Sequence, residues 1–493
     1  MNNIKNLIKK IVFDPVKARI AYDLAISVFN VISLYVVFSL FQIESMIGLT
    51  AIVVYPIIFV GSNVLHGVYS RLKMAPLALK IISLASSIFI VLLAYLVVLN
   101  SLSPLIILIS IFTLLLSVLP RAFFNYSGQN QKSKYISTIM SDKLPILVVG
   151  GGGYIGSHLV EQLLNRNYKV RVLDKFVYGK DVLNDLIDNP NLEIMEGDIS
   201  DIYALTLALR DTQAVIHLAG LVGDPASSID VQLTQHFNII STRMLLESVK
   251  ALRIPKFIFA SSCSVYGASE KKVDETSKLN PVSLYAQSKI DSENEILLTQ
   301  NDFFHPTILR FATVFGHSRR PRFDLVTNLF TAQAYNNGKI TVFGSDQWRP
   351  LVHVSDIARA IIKVIEAPTE KVSRQIFNVG DDELNITIGA LAKLVAKEVK
   401  KDKKGNKVKI IIDNNNDPRN YKVSFEKIAN TLKFKAQTNL ERGIKEMADG
   451  FKNGIYKKPY TDSIYSNFEM TKLVKDEFYS QNYRKSHFSV ILN

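Results

Sequence analysis

The sequence predicts an α/β fold with a doubly wound parallel sheet and a small C-terminal lobe, preceded by an all-α transmembrane region. Three observations predict it: apolar stretches fill the first 120 residues, a glycine-rich turn follows a short apolar run, and similar runs then alternate with amphipathic stretches. With 493 residues, 48% of them hydrophobic, the chain is too long for one ordinary core. We expect a transmembrane region over residues 1–125, a linker over 126–143, an α/β domain over 144–460 and a tail of no indicated role over 461–493.

Four apolar stretches in the first region predict membrane-spanning helices. They run roughly from Ala21 to Phe41, Met46 to His66, Leu77 to Leu99 and Leu102 to Leu119. About 20 residues span a bilayer, so three stretches qualify and the fourth is somewhat short. A soluble helical bundle is the alternative, but these stretches lack the polar face that such helices carry.

The positions of lysine and arginine predict the orientation of this region. Lys and Arg residues precede the first span and separate the second from the third, whereas the loops after the first and third spans carry none. By the positive-inside rule, the α/β domain faces the cytoplasm. We therefore expect a multi-pass protein of the cell inner membrane with membrane lipid as a partner.

Composition excludes some classes of site. The single Cys263 excludes an internal disulfide and a cysteine-based zinc site, and no metal site is predicted. The net charge of +14 is compatible with nucleic-acid binding. A membrane protein uses the same excess for topology and for anionic lipids, so we expect no nucleic-acid partner.

Six short apolar runs predict the parallel strands of the sheet. They are Pro145 to Val149, Lys169 to Leu173, Leu192 to Met195, Ala214 to Leu218, Lys256 to Ala260 and Thr307 to Phe311. The smaller lobe is expected from parts of residues 316–455. The basic stretch from Lys397 to Lys409 is interpreted as a solvated loop, with a phosphate or headgroup site as the alternative.

A glycine motif after the first strand predicts a dinucleotide site. Gly150 permits a tight turn, Gly153 lets the backbone approach a pyrophosphate, and Gly156 lets the following helix pack on the strand. Asp174, at the end of the second strand, is placed to accept hydrogen bonds from an adenosine ribose, which favours NAD over NADP. Asp198 and Ile199 are candidates for the adenine side, with a helix cap as the alternative for Asp198.

Two later segments predict proton transfer beside this cofactor. Ser262 follows a predicted strand, while Tyr285 and Lys289 lie one turn apart on a predicted helix. A lysine ammonium and a cationic nicotinamide would together lower the tyrosine pKa, so that Tyr285 exchanges a proton with a sugar hydroxyl. Ser262 would hydrogen-bond the reacting oxygen. The three side chains together predict an enzyme.

With these motifs, the region from Leu144 to Phe451 resembles the extended short-chain dehydrogenase/reductase family, in particular nucleotide-sugar epimerases and dehydratases. The resemblance implies a Rossmann domain, an NAD cofactor and a UDP-linked sugar substrate. It implies cofactor contacts by Gly150, Gly153, Tyr154, Ile155, Gly156, Asp174, Asp198, Ile199, Leu218, Ala219, Gly220, Asn238, Tyr285 and Lys289. It implies substrate contacts by Ser262, Ser264, Thr313, Arg349 and Arg419.

The same resemblance implies a homodimer through helices around Gln232 to Leu252 and Tyr285 to Thr299. His217 is expected to be structural. Thr313 stands where several members carry a substrate-contacting Asn, and the Arg-Pro-Gly found in many relatives is missing at Arg419, for which a surface charge is the alternative. The segment from His317 to Arg322 predicts either a phosphate site or a solvated loop.

One departure from the family pattern reduces the number of candidate reactions. Dehydratases place Asp-Glu after the catalytic Thr, whereas this chain has Cys263 and Ser264. The sequence therefore favours a 4-epimerase for surface polysaccharide biosynthesis. A 4-ketosugar reductase, a sugar dehydrogenase or a dehydratase is the alternative, and a lipid-diphosphate sugar is an alternative substrate. An NAD-binding membrane scaffold or sensor is the non-enzyme alternative, and a transporter is poorly supported because the spans carry few ionisable residues.

Overall fold

The computed structural model of the chain describes residues 144–299, 303–413 and 419–491. Within these residues, no helix combines the length and the apolar character that a bilayer crossing requires. The four predicted spans and the predicted linker lie outside the described residues. Their arrangement and orientation stay predictions from the sequence.

Twelve strands are described, and their bounds follow in chain order. They are β1 Ile146–Val149, β2 Val170–Asp174, β3 Leu192–Glu196, β4 Ala214–His217, β5 Lys256–Ser262, β6 His305–Phe311, β7 Thr313–Phe315, β8 Lys339–Phe343, β9 Trp348–His353, β10 Gln375–Val379, β11 Asn385–Thr387 and β12 Lys409–Asp413. Seven form a parallel sheet in the order β10-β6-β5-β4-β1-β2-β3. All six predicted strands are present in it, and β10 is an additional strand.

Thirteen α-helices are described, between these strands and after the last one. They are α1 Gly156–Leu164, α2 Ile202–Ala208, α3 Asp224–Ser227, α4 Val231–Thr234, α5 Ser241–Ala251, α6 Leu284–Leu298, α7 Val326–Asn337, α8 Val354–Glu366, α9 Thr369–Val372, α10 Ile388–Val399, α11 Glu426–Leu432, α12 Leu440–Lys452 and α13 Asn467–Ile491. One wide turn of helix, Gln235–Ile240, joins α4 to α5.

The sheet is buried on both faces, which explains why its strands read as continuous apolar runs. Alternate residues of a strand point to opposite faces. In β1, Ile146 and Val148 pack in the core that α1 and α8 cover, whereas Leu147 and Val149 pack in the core that α2, α5 and α6 cover. The doubly wound parallel fold predicted from the sequence is therefore confirmed.

A smaller lobe adjoins the carboxyl ends of the strands. β7, β9 and β11 form a three-stranded sheet, and β8 pairs with β12 in parallel. Its core packs Phe315 and Ile340 against Leu391 of α10 and Ile444 of α12. The basic stretch before β12 contains a loop that is largely exposed, in agreement with the first interpretation of that stretch.

The tail, to which the sequence assigned no role, is helical over most of its length. A short turn at Ser463–Tyr465 leads into α13. Tyr465 packs with Phe323 and Met447 in a small apolar cluster, which attaches the start of the tail to the α/β domain.

Candidate active site

A cavity of about 320 Å³ opens at the carboxyl ends of β1, β4 and β5. The strand order reverses between β1 and β4, and ligands of doubly wound sheets bind in the crevice outside such a point. The wall includes these predicted site residues: Gly150, Gly153, Tyr154, Ile155, Gly156, Asp174, Asp198, Ile199, Leu218, Ala219, Gly220, Ser262, Ser264, Tyr285, Lys289, Thr313, Arg349 and Arg419. Residues that the sequence analysis selected from distant segments thus line one cavity.

The glycine turn has the close contacts that its motif predicts. Gly150 has a φ of +88°, and a Cβ there would lie 2.7 Å from the backbone nitrogen of Ala219. A Cβ on Gly156 would lie 2.2 Å from the carbonyl oxygen of Gly150, so α1 can begin against the turn only with glycine at this position. Gly153 faces the cavity at the start of α1, where free backbone N–H groups favour an anion.

The Asp174 carboxylate, at the end of β2, is hydrogen-bonded to the glycine turn. Its Oδ2 accepts a hydrogen bond of 2.8 Å from Gly152 N, and its Oδ1 accepts one of 2.7 Å from Phe176 N. Burial raises the pKa of Asp174 above its ordinary value, while these two backbone bonds lower it. The carboxylate is thereby held at the cavity edge, where the sequence predicted the adenosine ribose.

Asp198 lines the cavity but does not cap a helix. Its Oδ1 accepts hydrogen bonds from Ser200 N at 2.8 Å and Ser200 Oγ at 2.7 Å, which closes a turn. The side chain that caps α2 is Asp201, which accepts from Tyr203 N. The helix-cap interpretation of Asp198 was therefore wrong.

Asn238 is the predicted cofactor residue that does not line the cavity. Its Oδ1 accepts from Leu221 N at 2.7 Å, and its Nδ2 donates to Leu221 O at 3.0 Å and to Ser288 Oγ at 3.0 Å. A Cβ on Gly220 would lie 2.9 Å from that Oδ1. The expected cofactor contact by Asn238 is corrected: because both its amide hydrogens are used behind the loop, it positions the loop instead.

Ser262, Tyr285 and Lys289 meet on one side of the cavity. Ser262 ends β5, and its hydroxyl also accepts from Ser264 N at 3.1 Å. Tyr285 and Lys289 are both buried, and the Lys289 Nζ donates a hydrogen bond of 2.8 Å to Ala260 O. The Nζ lies 5.8 Å from the centre of the Tyr285 ring. Strand β5 and helix α6 thus bring together three side chains that the sequence separates by 27 residues.

Burial has the largest effect on the pKa values of Tyr285 and Lys289 in the protein without a ligand. It raises the pKa of Tyr285 above its ordinary value; Asp224 raises it further, whereas a hydrogen bond with Ser262 and the charge of Arg322 lower it. Burial also lowers the pKa of Lys289 to about 8. The predicted lowering of the Tyr285 pKa is therefore not present in the protein without its cofactor.

The other predicted substrate residues also line the cavity: Ser264, Thr313, Arg349 and Arg419. Ser264 is buried, and its hydroxyl has no hydrogen-bond partner within the described part of the chain. The Arg349 Nη1 donates to Trp348 O at 2.9 Å and also to Arg419 O. Arg419 Nη1 lies 2.5 Å from Asp224 Oδ2, so this side chain is ion-paired at the cavity wall.

Trp348, the residue before Arg349, does not itself line the cavity. The Lys422 Nζ lies 3.8 Å from the centre of the Trp348 ring. The Trp348 N–H donates a hydrogen bond of 2.9 Å to Asn420 Oδ1. Trp348 is therefore in contact with Asn420 and Lys422, next to Arg349.

The segment from His317 to Arg322 is not a uniform solvated loop. Arg319 turns outward and pairs with Glu161 and Asp185. Arg320 and Arg322 are buried and line the cavity. Arg322 makes a two-pronged contact with Asp324 at 2.9 and 3.0 Å, so this part of the loop is built into the site.

The cavity has polar groups that fit a dinucleotide. The Arg320 guanidinium lies 3.5 Å from the centre of the Tyr178 ring, and its Nε and Nη2 have no hydrogen-bond partner among the described residues. Burial lowers the pKa of Arg320 to about 10, which leaves it charged at neutral pH. A buried cation with N–H groups that have no partner among the described residues, in the same cavity wall as Gly153, fits the diphosphate of NAD.

Sequence reasoning missed several wall residues. They are Tyr178, Asp224, Phe237, Arg320, Arg322, Asn467, Thr471 and Val474. The three-arginine segment was noticed, but its pattern did not indicate which arginines point inward. The tail residues carry no motif, and only the folded chain brings them to the cavity.

A glycine turn for a dinucleotide, next to a serine, a tyrosine and a lysine, defines the active site of a nucleotide-dependent oxidation and reduction enzyme. Comparison with known proteins agrees with this class. The chain belongs to the NAD dependent epimerase/dehydratase family, whose model matches residues 146–380. This confirms the predicted enzyme class, NAD-dependent nucleotide-sugar epimerases of this family, and the predicted cofactor, NAD.

Three similar proteins illustrate the relationship. A putative UDP-glucose 4-epimerase of Methanocaldococcus jannaschii is 29% identical over 62% of this chain and 98% of its own length. The UDP-glucose 4-epimerase of Bacillus subtilis is 31% identical over 48% of this chain and 77% of its own. The structure of UDP-glucuronic acid 4-epimerase from Bacillus cereus, in complex with UDP-glucuronic acid and NAD, is 26% identical, with a TM-score of 0.57 over 63% of this chain and 99% of that one.

Proposed function

We propose that the chain catalyses NAD-dependent epimerisation at C4 of a UDP-hexose through a transient 4-keto sugar. The observation that carries this proposal is the convergence of Ser262, Tyr285 and Lys289 with Arg349 and Arg419 in one cavity. The first three side chains suit proton transfer at a hydroxyl, and the two arginines suit a diphosphate. Bound NAD would supply a hydride acceptor and then return the hydride.

The proposed proton transfer uses groups already in contact. Tyr285 accepts the proton of the C4 hydroxyl and later returns it, while Ser262 hydrogen-bonds the same oxygen. Both side chains line the same cavity, and Ser262 lowers the pKa of Tyr285, which supports this arrangement. Lys289 holds the nicotinamide ribose and supplies positive charge beside the phenol. The glycine turn from Gly150 holds the pyrophosphate.

The substrate would lie between the β5 end and the smaller lobe. Arg349 and Arg419 hold the diphosphate, and Ser264 and Thr313 contact the sugar, in accord with their places on the wall. The unpartnered hydroxyl of buried Ser264 supports a polar ligand there. UDP-linked sugars are also named for the relatives, which supports a UDP-hexose here.

Cys263 favours epimerisation over elimination of water. Its thiol is buried, lies off the cavity wall and donates to Arg310 O at 3.3 Å. Burial raises the pKa of the Cys263 thiol, which makes it a poor base at neutral pH. A reductase acting on a 4-keto sugar with exchangeable cofactor is the second candidate, since it uses the same three side chains.

We further propose that the enzyme is anchored at the cytoplasmic face of the inner membrane and serves surface polysaccharide biosynthesis. The apolar stretches and the lysine and arginine distribution of the first 125 residues support the anchor. A lipid-diphosphate sugar stays an alternative substrate. The homodimer is a proposal supported by exposed apolar side chains on the two expected helical segments, such as Ile240 and Leu298.

The test uses the full chain, purified in detergent without added cofactor. Bound nucleotide is released and identified, and the protein is incubated with UDP-glucose, UDP-galactose, UDP-glucuronate and UDP-galacturonate. We expect bound NAD and interconversion of one C4 pair, lost by about 10² to 10⁴ in Tyr285→Phe. Turnover only with added reduced cofactor and a keto sugar would assign the reductase instead.

A further inference from the structure

Helix α13 forms one side of the cofactor cavity. Asn467, Thr471 and Val474 repeat at helical spacing, are buried and line the cavity. The Asn467 Nδ2 donates to Val222 O at 2.9 Å, which orients the amide. Its Oδ1 then has no partner among the described residues and is available as an acceptor in the cavity wall.

The helix extends from the catalytic side of the cavity to the adenine side. At its start, Asn467 N donates to Asp324 Oδ2 at 2.9 Å. Ten residues later, Glu477 lies 3.4 Å from the Lys175 Nζ, which is 3.7 Å from Asp198. Ten residues of α-helix are about 15 Å long, comparable with an extended dinucleotide.

Contacts on the adenine side attach the helix through polar and aromatic groups. The Lys475 Nζ lies 3.2 Å from Asp230 Oδ2, and Tyr479 Oη donates to the same carboxylate at 3.1 Å. The ring of Phe478 lies 4.9 Å from His236 and 6.0 Å from Phe237, a residue of the cavity wall. On this side the helix is therefore held by partly exposed ion pairs and by ring contacts.

From these contacts we propose that α13 is a clamp that retains NAD: the dinucleotide leaves the cavity only when the helix separates from Asp230 and Lys175. This inference rests on the proposed function. An epimerase must return the hydride to the sugar that lost it, and a cofactor lost between the two steps would leave a stranded keto sugar. Helix α13, by keeping NAD bound between the two steps, would prevent this loss.

The strength of the clamp is modest. The side chains of Lys475 and Glu477 are 37% and 47% exposed, and ion pairs of this kind contribute little each. Their removal should therefore speed the release of NAD by about threefold, and loss of the whole helix by about tenfold or more. Higher salt should also speed release, since it screens exposed pairs.

The experiment measures the NAD content and the NAD release rate of the full chain without any sugar. The double variant Lys475→Ala/Glu477→Ala is compared with Glu469→Ala/Lys472→Ala, which removes an ion pair on the solvent side of the same helix, 44% and 48% exposed. We expect about threefold faster release in the first variant only. Salt should speed release from the control more than from the first variant.

A chain that ends at Ser466 gives the larger effect, provided that its melting transition is retained. If it does not fold, the matched pair of double variants decides. Equal release from both double variants, or a wild-type protein that retains no NAD, would overturn the clamp. NAD retention with no C4 interconversion would reject the proposed function while leaving the clamp in place.

Discussion

The hydroxyl of Ser283 donates a 2.6 Å hydrogen bond to Asp224 Oδ1. The same hydroxyl accepts from Ala286 N at 3.1 Å and so caps the helix that carries Tyr285. The other oxygen of Asp224 holds Arg419 at 2.5 Å. One carboxylate thus connects the start of the tyrosine-bearing helix with the arginine proposed to hold the diphosphate.

Replacing Ser283 tests this connection. Ser283→Ala removes both the helix cap and the bond to Asp224, and we expect the free energy of unfolding to fall by about 1–2 kcal/mol. Turnover should fall as well, because Tyr285 lies in the first turn of α6. Denaturant unfolding and steady-state kinetics measure the two effects. Ser283→Thr keeps a hydroxyl and is the control; an alanine variant as stable as wild type would contradict the prediction.

The buried Lys289 should make stability depend on pH. Its pKa is lowered by burial to about 8 from an ordinary 10.5, so between these values the folded protein has released a proton that the unfolded chain still holds. The free energy of unfolding should therefore rise with pH in this window, by about 1.4 kcal/mol per pH unit relative to Lys289→Met. Urea unfolding of both proteins from pH 7 to 10 measures the difference. A difference that does not change with pH would show that Lys289 titrates normally.

The free energy of unfolding should depend far more on the buried ion pair between Arg310 and Glu293 than on an exposed ion pair. Arg310 Nη2 lies 2.6 Å from Glu293 Oε2, and both side chains are only 3% exposed. Glu293→Gln leaves the arginine charge uncompensated, so we expect a loss of about 3–5 kcal/mol in unfolding free energy. Glu295→Gln, which breaks the exposed pair with Arg243 on the same helix, should cost under about 1 kcal/mol. Similar losses in the two variants would refute this reasoning.

Cofactor choice should depend on Asp174. Its carboxylate at the cavity edge repels a 2′-phosphate, so Asp174→Asn should narrow the preference for NAD over NADP by about tenfold or more. Binding titrations of NAD and NADP with cofactor-stripped protein give the ratio. Asp181→Asn, an exposed change outside the cavity wall, should leave the ratio unaltered. An unchanged ratio in Asp174→Asn would place discrimination elsewhere.

Much of the fold and site follows from local sequence signals. The six predicted strands are apolar because both faces of a parallel sheet are buried, and the glycine turn is required by contacts within one short segment. The missed strand β10 contains Asn378, a buried polar residue that interrupts the apolar run. Its Oδ1 accepts from Tyr266 Oη at 2.8 Å, a partner 112 residues away that local pattern does not reveal.

The errors at the site have the same physical origin. Asn238 was expected at the cofactor, but its hydrogen-bonding capacity is used by Leu221 and Ser288, which become its neighbours only on folding. Arg319 and Arg320 are adjacent in sequence, yet one pairs with Glu161 outside and the other stacks on Tyr178 inside. The role of α13 likewise depends entirely on long-range packing.

Trp348 gives this enzyme a built-in optical probe. It is the single tryptophan of the chain, and it adjoins Arg349 with the Lys422 ammonium over its ring. Tryptophan emission therefore reports from the start of β9, beside Arg349, without labelling. Reduced nicotinamide absorbs at the wavelengths where tryptophan emits. Quenching of the Trp348 emission during turnover would therefore report the fraction of the cofactor that is reduced.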